Sequence, residues 1–151
     1  MASTIWSHVL KRNARRRHWL WGGITEFTAF TNDNKFVHVA GAGWVALSRA
    51  YAMPDTGAPY RLGFQGLGPA VADLPVIVAV SAHAERLVAM TWGKHTVSLV
   101  GNPRHPCIHA DPGFPDLAPG ERAAIQGEIL FFEGKLEAFD VSIDDMRKHA
   151  Q

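Results

Sequence analysis

"LPVIVAVSA", residues 74–82, is apolar at almost every position and rich in β-branched side chains. A strand with one wet face would alternate apolar and polar residues. A continuous run of this length predicts instead a strand buried on both faces. Downstream, "RLVAMTW" (86–92) and "TVSLVG" (96–101) read as two more strands, joined by Gly93-Lys94-His95, a break of hairpin length. Upstream, "KFVHVA" (35–40) alternates weakly. "GWVALSRAYA" (43–52) sets Trp44, Ala46 and Ser48 opposite Val45, Leu47 and Arg49. Further on, "ERAAIQGEILFFEG" (121–134) predicts a long strand with Gly127 at a bulge. "KLEAFDV" (135–141) predicts a strand paired back onto it through Glu133-Gly134.

Between these runs stand glycine and proline clusters: "MPDTGAPY", "GFQGLGP" and "DPGFPDLAPGE". Short strands, frequent turns and few helical periods predict an all-β fold, an antiparallel β-sandwich. Its core is expected from residues 74–101 and 121–141. The 151 residues suit a single domain, 1–151. Short helices are expected at the ends. One covers residues 5–17 within a basic arm over 1–18. The other lies in "SIDDMRKHAQ" (142–151), where Ser142 is an N-cap and Arg147 and Lys148 suit the C-terminal end of the dipole.

Apolar residues make up 47% and charged residues 19%, an ordinary globular balance, and the formal net charge is +1. Nothing global calls for nucleic acid or an acidic surface. Lys11, Arg12, Arg15, Arg16 and Arg17 precede the first acid, Glu26. Such an arm could hold phosphates or be a solvated terminus. No aromatic-and-basic repeat follows it, so nucleic acid is not an expected partner. No apolar run is long enough to span a membrane. The basic cluster follows the first apolar residues, the wrong order for a secretory signal. Cys107 is the single cysteine, which fits a reducing compartment, and a cytoplasmic location is expected.

"HPCIHADP", residues 105–112, places His105, Cys107, His109 and Asp111 at every second position, on one side if the chain is extended. Pro103, Pro106, Pro112, Pro115 and Pro119 exclude a central strand throughout and place the segment at a sheet edge. Imidazole, thiolate and carboxylate together suit Zn²⁺ or a similar metal. Yet four same-face positions span about 20 Å at roughly 3.3 Å per residue, too far for one ion without bending. His105 with Cys107, or His109 with Asp111, could share an ion with His38 or His83. An imidazole beside a carboxylate is also a proton-transfer pair, and His109 and Asp111 qualify. The structural alternative is that Asp111 caps the turn at Pro112-Gly113 while His109 donates to a carbonyl.

Residues 107–132 resemble the end of a galactose mutarotase (aldose 1-epimerase-like) domain. That family closes with an edge strand of the type Cys-Leu-Glu-Thr-Gln, a proline-rich crossing, Leu-x-Pro-Gly-Glu, and a strand ending in aromatics. Here the residues are Cys107-Ile108-His109-Ala110-Asp111, "PGFPDL", Ala118-Pro119-Gly120-Glu121 and "IQGEILFF". The resemblance implies an antiparallel supersandwich, of which this chain supplies about the C-terminal part. It would be a fragment, a reduced relative, or a subunit that completes the sheet by dimerising. The family's catalytic glutamate falls at His109, so ordinary mutarotation does not carry over. The family's His-x-Tyr-Phe-Asn stretch has its nearest counterpart at His18-Trp19-Leu20-Trp21.

Three readings follow. The first is a carbohydrate-acting enzyme, an epimerase, glycoside hydrolase or lyase, with His109 as base or acid and His105 and Asp111 supporting it. Trp44, Trp92 and Tyr60 would stack on a sugar, and Glu128 or Glu133 would add a second titratable group. The second is a non-catalytic carbohydrate-binding or assembly module using the same aromatics. The third is a small metal enzyme using His105, Cys107 and His109; the first two need no cofactor. The strands at 74–82 and 86–92 need cover on both faces, and 151 residues with little helix offer few elements for a third layer. A homodimer is therefore expected.

Overall fold

The structure, a computed structural model, describes residues 32–81, 83–103 and 107–142. The helix expected over 5–17, the basic arm with His18, His105, and nearly all of the helix expected over 142–151 lie outside the described residues. The described chain is all-β, a sandwich of two sheets with short helical turns. Among the described residues no helix is long and apolar enough to cross a membrane.

The run that decides the fold is strand β5, Val76–Val80, the middle strand of a five-stranded sheet. All of its residues are buried. It pairs antiparallel with β1 (Lys35–Val39) on one side and β6 (Arg86–Thr91) on the other. Strand β2 (Gly43–Ala46) flanks β1 and β9 (Glu128–Glu133) flanks β6. The second sheet contains β4 (Ala70–Ala72), β3 (Tyr60–Leu62), β7 (Thr96–Gly101) and β8 (Ile108–Pro112), in that spatial order. Its β3–β7 pair runs parallel, so the sandwich is not antiparallel throughout.

Strand alternation sorts the apolar side chains into two cores. Val37, Val45, Ile77, Val88 and Met90 face the second sheet and meet Leu62, Val71, Leu99, Ile108 and Ala110. Val76, Val78, Val80, Leu87 and Ala89 face the other way. That outer face is closed by the chain's own 3-10 helix, Leu136–Ser142. Phe139 is 1% exposed there and packs on Phe132 with ring centroids 5.6 Å apart.

Three expected strands are corrected. Residues 135–141 do not pair back onto the preceding strand. Gly134, at φ +142°, turns the chain off the sheet, and its N–H donates to the Glu85 carbonyl at 2.7 Å. Leu136 and Phe139, three apart, then fall on one side of a 3-10 turn, where they cover apolar surface that a strand could not reach. Residues 43–52 hold strand only to Ala46. One α-helical turn, α1 (Leu47–Ala50), follows and buries Leu47 and Ala50 together. The long strand expected over 121–134 is confined to Glu128–Glu133, since residues 121–127 are largely exposed.

The break at Gly93-Lys94-His95 is not a hairpin either. It carries the chain from β6 in one sheet to β7 in the other. Gly93 adopts φ +55°, the Trp92 N–H donates to Thr96 Oγ1 at 3.0 Å, and Thr96 Oγ1 donates to the Pro75 carbonyl at 3.2 Å. The arch is thereby tied to the residue just before β5.

Phe139 is the plug of the outer core, so Phe139→Ala should cost about 3–5 kcal/mol, the usual penalty for emptying a buried aromatic site. Urea unfolding should show the loss as a lower midpoint. A midpoint within experimental error of the parent would show that the 3-10 helix does not carry the outer face.

Candidate functional site

Strand β8 lies at the edge of the four-stranded sheet, as its prolines require. Ile108 and Ala110 point into the core. His109 and Asp111 therefore share the opposite face. They do not form a hydrogen-bonded pair with each other. Asp111 Oδ2 accepts from Ser98 Oγ at 2.7 Å, and Ser98 is fully buried. His109 sits opposite Val100 and beneath the Phe64 ring, centroid to centroid 5.8 Å. It is 8% exposed, a buried side chain rather than one open to solvent. Phe64 belongs to a tight turn in which Gly63, Gln65 and Gly66 all have positive φ.

The metal reading gains no such cluster. Among the described residues no three His, Cys, Asp or Glu side chains converge to hold an ion. Burial lowers the Lys35 pKa, and half-buried Cys107 opposes that shift. Lys35 Nζ donates to Asn32 Oδ1 at 3.2 Å and to the Asn102 carbonyl. This buried lysine was not read from the sequence; its place in the Lys35–Val39 alternation, on the side of Val37 and Val39, was the available signal.

Two residues singled out as sugar contacts do meet. Trp92 and Glu128 line one cavity of about 270 Å³ with Thr91, Lys94 and Gln126. Register brings them there, since Thr91 pairs with Glu128 across β6 and β9. Trp92 closes the end of the sandwich by donating from Nε1 to the Ala110 carbonyl at 2.7 Å. Gly127 lies so close to the Trp92 ring that a Cβ there would collide with it. Gly127 thus makes room for an aromatic wall rather than a bulge. Glu133 is elsewhere, at the far end of β9 and 3.9 Å from Arg86.

Tyr60 is buried in the central core, and desolvation raises its hydroxyl pKa. It is not positioned to stack on a sugar. Trp44 lies on the outer face of the five-stranded sheet. Its ring meets His38 edge-on at 5.5 Å and Phe139 at 6.1 Å. His38 Nδ1 is 2.6 Å from Asp73 Oδ1, while the Asp73 N–H donates to the His38 carbonyl at 3.1 Å. This His–Asp pair, 35 residues apart in sequence, is the imidazole–carboxylate contact that spacing alone could not show.

The Leu-x-Pro-Gly-Glu element closes a turn. The Ala118 N–H donates to Glu121 Oε2 at 2.9 Å and the Glu121 N–H to the Ala118 carbonyl at 3.0 Å. Comparison with protein-family models, curated proteins and solved structures finds no match to this chain.

Burial holds the His109 pKa below its ordinary 6.5; nearby Asp111 opposes the shift and Lys35 reinforces it. The unfolded chain therefore takes up the proton first. Above the ordinary pKa the group contributes nothing. As pH falls through 6.5 toward the folded value, it subtracts stability. The urea midpoint should drop more steeply between about pH 7.5 and 5.5 in the parent than in His109→Asn. Parallel curves for the two would show that His109 titrates alike in both states.

Proposed function

We propose that this protein binds carbohydrate without transforming it, using the Trp92–Glu128 cavity to hold one sugar unit. The observation that carries this is the make-up of that cavity: an indole wall beside a carboxylate, a carboxamide, a hydroxyl and an ammonium. A pyranose has an apolar C–H face for the indole and a rim of hydroxyls for such donors and acceptors. About 270 Å³ lies just below the usual range for a drug-sized ligand, which suits a single ring.

Proton transfer fits less well. His109 and Asp111 do not line this cavity, and Asp111 is engaged by Ser98. Trp92 hydrogen-bonds to their strand at the Ala110 carbonyl, not at either of these side chains. The relation to galactose mutarotases is part of the proposal and rests on residues 107–132 alone.

Glycan-array screening followed by calorimetry tests the reading. Glu128→Gln and Gln126→Ala alter exposed side chains, so both should fold normally and weaken binding of the selected sugar at least tenfold. Unchanged affinity in both variants would remove the sugar from this cavity.

A homodimer is also proposed, through the sheet edges rather than the strand faces. Leu136–Ser142 already covers much of the outer apolar face, so the sheet edges are the surface left for a partner copy. Strands β2, β9, β4 and β8 end the two sheets among the described residues. Light scattering on a sizing column should give twice the 16.5 kDa chain mass. A mass of one chain, unchanged on concentration, would refute the dimer.

A further inference from the structure

The outer face of the five-stranded sheet carries a second recess, of about 590 Å³, remote in sequence from the Trp92 cavity. Phe36, Trp44 and Val80 form its sheet side, and Leu136 its helical side. Lys135 and Glu137, both exposed, bring one positive and one negative charge to the same rim. We propose that this recess binds a small aromatic zwitterion, an amino acid or dipeptide. The ring would lie on Phe36 and Trp44, the carboxylate toward Lys135 and the ammonium toward Glu137.

The packing around Trp44 supports a built site rather than a dent. The Trp44 ring is fixed from behind: His38 meets it edge-on, and His38 is itself held by Asp73 at 2.6 Å. Phe139 holds its other flank at 6.1 Å. Ala84, also on the recess wall, adopts φ +53° in the turn that joins β5 to β6, where its N–H donates to the Ser81 carbonyl at 2.8 Å. The volume falls within the range of small-molecule sites, and an apolar floor with few charged groups is their usual composition.

Lys135, just before the 3-10 helix, and Glu137, in its first turn, both stand at the rim of an apolar floor. A ligand with only one charge would leave the other rim group unmatched, so selectivity for a zwitterion follows from charge complementarity.

The experiment uses the full chain, labelled with ¹⁵N, and the indole N–H signals of its tryptophans, with Trp44 assigned from Trp44→Phe. L-phenylalanine is the probe; phenylacetate and phenethylamine each lack one charge. L-phenylalanine should shift the Trp44 signal with saturation, and the two analogues should bind at least tenfold more weakly. Lys135→Met and Glu137→Gln, both at exposed positions, should each weaken L-phenylalanine at least fivefold. No Trp44 shift at millimolar L-phenylalanine would overturn the proposal. Equal affinity for all three probes would also overturn it, since the recess would then be an apolar surface blind to charge.

Discussion

The complete burial of Val76–Val80 is the constraint from which the architecture follows. A strand with both faces apolar is stable only if each face is covered. The four-stranded sheet supplies one cover, through Leu62, Leu99, Ile108 and Ala110. The 3-10 helix Leu136–Ser142 supplies the other, through Leu136 and Phe139. Because the second cover is one short 3-10 helix, one residue, Phe139, carries much of it. The chain immediately after β9 is therefore committed to crossing back over the sheet it has just completed. Gly134 is where that reversal is made.

The ends of the sandwich are closed by polar groups on large side chains. At one end, Trp92 spans from β6 to the Ala110 carbonyl on β8. At the other, Lys35 lies fully buried among Asn32, Asn102 and the glycine backbone at 101, with no room there for a Cβ. A buried ammonium has a high desolvation cost unless oxygens surround it, and Asn32 and the Asn102 carbonyl provide them. Both closures put a hydrogen-bonded atom at the tip of a long side chain whose stem packs on the core. They tie the two sheets together at both ends, and the one at Trp92 fixes the indole that lines the cavity.

The fold class was legible because burial leaves a period in the sequence. The continuous run at 74–82 announced a two-faced strand, and the prolines flanking 108–112 announced an edge. What was not legible was partnership. The short break at 93–95 looked like a hairpin, yet it joins two sheets, because loop length does not record which strand lies beside which. "KLEAFDV" looked like a strand since Leu136, Ala138 and the flanking polar residues alternate. The same letters also place Leu136 and Phe139 three apart, and the need for an outer cover chose that period.

The candidate site shows the same division. Alternation correctly placed His109 and Asp111 on one face of β8, but a shared face is not a shared site. A strand residue's closest contacts are across the ladder, and those neighbours lie many residues away in sequence. Val100 and Phe64 give His109 an apolar setting, while Ser98 gives Asp111 a hydroxyl. Two groups that alternate together thus acquire opposite characters: a desolvated imidazole and a hydrogen-bonded carboxylate. His38 and Asp73, with nothing in their spacing to link them, meet because the loop after β4 packs its backbone N–H against the His38 carbonyl. The backbone bond fixes the distance, and the side-chain bond follows from it. Chemistry-bearing pairs in a sandwich are therefore set by which loops dock on which strands, a property of topology that residue spacing does not carry.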